Sequence, residues 1–79
     1  MKKQLTEILN RARLALNDAE ACSRNYGTLN YFHGKISAFQ ISYAIVYGLE
    51  INEMWKINDI APEFEEMKRA INKLISECP

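Results

Sequence analysis

The side chains of this 79-residue chain that most often serve catalysis or metal binding are one histidine, two cysteines and ten acidic residues. His33 stands alone, so neither an HExxH zinc motif nor the paired ExxH motifs of a di-iron bundle can be written. Cys22, Cys78 and His33 are zinc-compatible types, but they follow no ligand spacing and no CxxC occurs. A Cys22–His33 nucleophilic pair has no pattern behind it. Glu50 with Glu53, and Glu63 with Glu66, would share a helical face. Such pairs ordinarily form a solvated acidic surface or a first turn favoured by the helix dipole. Gly27, Gly34 and Gly48 are scattered, so no phosphate-cradling loop is present. The sequence predicts no catalytic residue, no metal ligand and no cofactor, and enzymatic activity is not expected.

Aromatic residues are the more informative feature. Residues 25–34, NYGTLNYFHG, set Tyr26, Tyr31, Phe32 and His33 among short polar side chains, the composition of an interface anchor. Trp55 is the sole tryptophan and lies in an acidic stretch with Glu50, Glu53 and Asp59. Tyr26, Tyr31, His33 and Trp55 are therefore the candidate partner-binding residues. Each has a plainer reading beside it. Tyr26 and Phe32 would close the end of the core, and Trp55 would be the lid of a small one. Tyr31 and His33 point to different sides of a helix, so they cannot share one core. His33, Ser37 and Gln40 form a polar strip at helical spacing, read either as an exposed flank or as a seam fixing register between symmetry mates.

Three helical segments must position these residues, and no period-2 run competes with them. The first spans about residues 3–25, with Leu5, Ile8, Leu9, Ala12, Ala15, Leu16, Ala19 and Cys22 as an i, i+3, i+4, i+7 stripe. Asn25-Tyr26-Gly27 reads as its stop, with Gly27 closing it in the left-handed conformation. The second spans about 28–48 with Thr28 as N-cap. It has two apolar faces about 140° apart by the 3.6-residue period. One carries Leu29, Phe32, Ile36, Phe39, Tyr43 and Val46; the other carries Tyr31, Gly34, Ala38, Ile41, Ile45 and Leu49. A helix apolar on most sides is expected to be buried on most sides, which makes this the central one. After Gly48, residues 49–58 either extend it or form a short separate helix capped at Asn52. The third helix spans about 62–77, opened by Pro62 and striped by Phe64, Met67, Ile71, Leu74, Ile75 and Cys78. Short connections favour antiparallel neighbours, so the fold class is all-α, a single three-helix bundle domain over residues 1–79.

Ten basic residues cancel ten acidic ones, which removes the bulk attraction of a general nucleic-acid or acidic-membrane binder. Two cysteines make no disulfide framework, and Met1-Lys2-Lys3 leads into a polar periodic segment, so a reducing, cytoplasmic setting is expected. The most apolar stretch, 36–49, is too short to span a bilayer, so no membrane association is expected. Burial of about 8,000 Å² contributes ~120 kcal/mol by area scaling, and ordering the residues costs about as much. A lone chain is thus marginal, and a partner would help it.

These features predict a non-catalytic protein–protein interaction module: an adaptor, regulator or inhibitor of a larger protein, of the kind found among phage and prophage accessory proteins. The alternative is a nucleic-acid-associated regulator using the basic first segment, net positive by two over residues 1–25 (Lys2, Lys3, Arg11, Arg13 and Arg24 against Glu7, Asp18 and Glu20). Residues 49–79 are net negative by three, so the basic helix could equally face an acidic tail, its own or another molecule's. The doubly apolar second helix further predicts a homodimer. Gly34 and Ala38 would admit a close helix, Ile41, Ile45 and Leu49 would supply apolar area, and Tyr31 would be the anchor. The competing arrangement lets the third helix cover that face in a monomer.

Overall fold

The structure is a computed structural model, and it describes residues 2–22 and 24–78. Its elements are helical: α1 over Lys2–Ala21, α2 over Tyr26–Tyr47, a 3₁₀ helix over Ile51–Lys56, α3 over Ile57–Ile60 and α4 over Glu63–Ser76. Helix α2 packs against both α1 and α4, and those two also touch. The principal extents are 40 × 24 × 16 Å.

The first linker differs from the sequence expectation, and a cap explains why. Asn25 does not close α1; it opens α2. Its backbone is extended (φ −122°, ψ 125°), and its Oδ1 accepts the Thr28 N–H at 3.1 Å. That bond satisfies one of the free donors at the helix start. Thr28 therefore sits inside the first turn, and Gly27 is helical instead of left-handed. Helix α1 ends at Ala21, four residues short of the predicted 25; Ser23, within that predicted range, lies outside the described residues.

Helix α2 stops at Gly48, the one described residue with positive φ (108°). The Gly48 N–H donates to Ile45 O at 3.1 Å, and the Leu49 N–H donates to Ala44 O at 3.0 Å. These two bonds make a Schellman reversal, which glycine permits without a Cβ penalty. The reversal folds Leu49 back onto the core beside Ala44. Leu49 thus leaves the second apolar face on which helical periodicity put it. Residues 51–60 are separate from α2, and the cap is at Glu50, not Asn52: the Glu50 N–H donates to Glu53 Oε1 at 3.2 Å. Helix α4 begins after Pro62 with Glu63, Glu65 and Glu66 in its first turn, one residue inside the predicted limits at each end.

The core lies where the three long helices meet. Helix α1 contributes Ala12, Ala15 and Ala19, all 2% exposed or less, so small side chains let α2 come close. Helix α2 contributes Leu29, Ile36 and Ala44, and α4 contributes Phe64, Met67 and Ile71. Ile57 and Ala61 complete it from below, with Met54 and Ile60 packed alongside. No described helix is long and apolar enough to cross a membrane.

Candidate interaction surface

Of the two apolar faces of α2, the chain covers one. Leu29 and Ile36 are fully buried, and Phe32, Phe39 and Tyr43 pack partly against the core. The other face is open. Tyr31 is 62% exposed, Ile41 53% and Ile45 60%, with Gly34 and Ala38 also exposed between them. The expectation that α2 is buried on most sides is therefore overturned, and so is cover by the third helix. Helix α4 meets α2 along Gln40 and Tyr43, well round the helix from Ala38.

Charge marks this face out from other exposed helix surface. Helix α2 carries one charge, Lys35, in 22 residues. Helix α1 carries seven in 20 and α4 six in 14, so solvent exposure alone does not account for the α2 composition. Depletion of charge around an aromatic is the signature of an interface centre. The Tyr31 ring meets Phe32 edge-on at 5.3 Å, and the Lys35 ammonium stands 5.9 Å from its centroid. Those two contacts hold the ring upright on an otherwise bare surface.

The other candidates fall elsewhere. Tyr26 is 63% exposed and does not close the core; it lies about 140° round the helix from Tyr31, so one flat partner surface cannot meet both. Trp55 is 65% exposed with Lys56 Nζ 5.8 Å from its ring, so it is not a core lid. Met54 of the 3₁₀ helix and Ile57 and Ile60 of α3 occupy that place. Ile51 (89% exposed) and Tyr47 (47%) also face solvent, and no periodic pattern in residues 47–58 announced either. His33 is half-buried.

The polar strip serves the chain itself at Gln40. That side chain is 8% exposed. Its Nε2 donates to Glu65 Oε2 at 2.9 Å and its Oε1 accepts from Lys68 Nζ at 2.8 Å, while Lys68 also pairs with Glu65 at 2.8 Å. Gln40 is therefore a tie to α4, not a seam between symmetry mates. The i, i+3 spacing of Glu65 and Lys68 was visible in the sequence, but only packing brings Gln40 to it. The Lys68 ammonium first, and then the Gln40 amide, hold the Glu65 carboxyl below its ordinary value. A carboxylate so depressed adds stability that is present above about pH 4.5, the unperturbed value, and is lost as pH falls through the folded value. Gln40→Ala is expected to cost about 1–2 kcal/mol at neutral pH, with the cost shrinking below pH 4.5. Urea titrations of both proteins at neutral and acid pH check this; a cost that does not change with pH would refute it.

The grooves on the surface are shallow, about 260–380 Å³. Among the described residues no three His, Cys, Asp or Glu side chains gather as a metal set, and no buried side-chain N or O lacks a hydrogen-bond partner. Both cysteines are free and half-buried, with Cys22 Sγ donating to Ala19 O at 3.1 Å. The basic residues of α1 and the linker after it are partly engaged: Arg13 of α1 lies 3.9 Å from Glu63, and Arg24 of the linker donates to Glu20 O at 3.3 Å. No family model, curated protein or solved structure matches the chain.

Proposed function

We propose that this protein is a non-catalytic interaction module, an adaptor or regulator that works by docking the open face of α2 on protein. One observation carries the reading: a folded helix presents Tyr31, Gly34, Ala38, Ile41 and Ile45 to solvent with a single charge on the whole element. An apolar strip of this kind is costly in water and is ordinarily covered in use. The scaffold under it would be an antiparallel three-helix bundle. Ile8 and Arg11 share a groove with Phe39, Ser42 and Val46, whereas Leu14 and Asp18 share one with Lys35, so α1 rises as α2 falls. Tyr43 meets Phe64 and Gln40 meets Lys68, which gives the same opposition for α2 and α4.

Placing a photo-crosslinking amino acid at position 41, inside the native host, tests this. A covalent protein adduct at 41, absent when the probe replaces the exposed Asn10 of α1, is the expected result. No adduct at 41, or equal adducts at both positions, would sink the reading.

A further inference from the structure

We propose that the occupant of this face is the same face of a second copy of the chain, packed antiparallel about a two-fold axis level with the bond between Phe39 and Gln40. The inference rests on the interaction reading above and adds the partner and its register.

Size is the first argument. Along the open face the order is Tyr31, Gly34, Ala38, Ile41, Ile45 and then Gly48 at the cap, large and small unevenly distributed. Antiparallel pairing about the stated axis sets Gly34 opposite Ile45, Ala38 opposite Ile41 and Tyr31 opposite Gly48. Each contact is then one large residue into one gap, the arrangement that packs two surfaces to interior density. A parallel pair would put isoleucine on isoleucine at one end and glycine on glycine at the other, which splays the helices.

Gly34 adds a second argument. Glycine is among the least favourable residues inside a helix. Gly34 does not have positive φ, and a Cβ built on it meets nothing within 4 Å. Nothing inside the chain requires glycine there. A missing side chain does allow close approach from outside, and the opposing Ile45 would use it.

Charge separates the two orientations again. Lys35 sits on the edge of the face toward α1, sharing a groove with Asp18 and Leu14. Farther along that edge, Glu7 shares a groove with Ser42 and Val46. The two-fold axis keeps this edge on one side of the pair and brings Lys35 level with residue 44 of the second copy, beside the second copy's Glu7. A parallel pair, with its two-fold along the helices, would carry this edge to opposite sides and take Lys35 away from that carboxylate. Area is sufficient as well. Half a cylinder about 26 Å long and about 12 Å across presents ~500 Å² per copy, ~1,000 Å² for the pair, the lower bound for a specific interface.

Sedimentation of the purified chain at about 100 µM should give twice the 9.1 kDa chain mass. At concentrations where both proteins are monomeric, Gly34→Leu should be at least as helical and as heat-stable as the parent by circular dichroism, yet it should associate at least about 30-fold more weakly, because the clash occurs at both symmetry-related contacts. Gly34→Leu combined with Ile45→Ala should recover the dimer, since the larger and smaller partners have exchanged places. A monomeric wild type, or a Gly34→Leu protein still dimeric, overturns the proposal. Failure of the double variant to recover overturns the register and with it the proposal. The crosslink at 41 keeps the two readings apart: an adduct of twice the chain mass supports both, a heavier one supports docking but overturns the second copy, and none overturns both.

Discussion

Phe64→Ala is expected to cost about 4 kcal/mol, a third or more of the whole stability of the chain. The ring is fully buried and meets Tyr43 edge-on, with centroids 5.4 Å apart and planes at 68°. It stands where α2 and α4 meet, and the other largest core side chains, Leu29, Ile36 and Ile71, are also fully buried, so removing the ring leaves a cavity inside the core. A domain of this length holds only about 4–12 kcal/mol in total. Urea unfolding at neutral pH measures the loss, and Ile51→Ser serves as control. Ile51 is 89% exposed, so its substitution should move stability by no more than about 0.5 kcal/mol. Equal effects at the two positions would contradict the packing described.

The same chemical change at two isoleucines of α2 should have opposite outcomes. Ile36→Lys is expected to unfold the chain, because Ile36 is fully buried and an ammonium there would have no counter-charge or water. At concentrations where the chain is monomeric, Ile45→Lys is expected to leave it helical, with a stability change within about 0.5 kcal/mol, because that side chain is already 60% in solvent. Far-UV circular dichroism with thermal melts distinguishes the two at once. A helical Ile36→Lys protein would mean that the buried and open faces of α2 have been exchanged.

This pair of substitutions also marks the boundary between local and tertiary information. The two faces of α2 are equally apolar in the residue order, so helical periodicity finds both and cannot rank them. Ranking needs the positions of α1 and α4. The alanines at 12, 15 and 19 draw α1 onto the Leu29–Ile36 side, and Gln40, Glu65 and Lys68 tie α4 next to it. Tyr31, Ala38 and Ile45 are left over. The same limit explains Trp55, whose exposure follows from a 3₁₀ turn that points Met54 inward instead.

Cap residues show how local bonds can be read and still be misassigned. Asn25 was legible as a boundary, because its short amide competes with the helix backbone. Whether it ends one helix or starts the next depends on one bond, from the Thr28 N–H, that the order of residues leaves open. Gly48 was legible as an interruption, but the fate of Leu49 depended on the Schellman geometry that followed. What the residue order carried by itself was the all-helical class, three long helical segments, the core stripes of α1 and α4, and the second apolar face of α2. Those follow from a 3.6-residue period and from side-chain solvation, which act within a few turns. What tertiary structure alone decided was which face stays open, where Leu49 and Trp55 lie, and that Gln40 is spent inside the chain. Burial is a property of neighbours distant in sequence, and no local period encodes them.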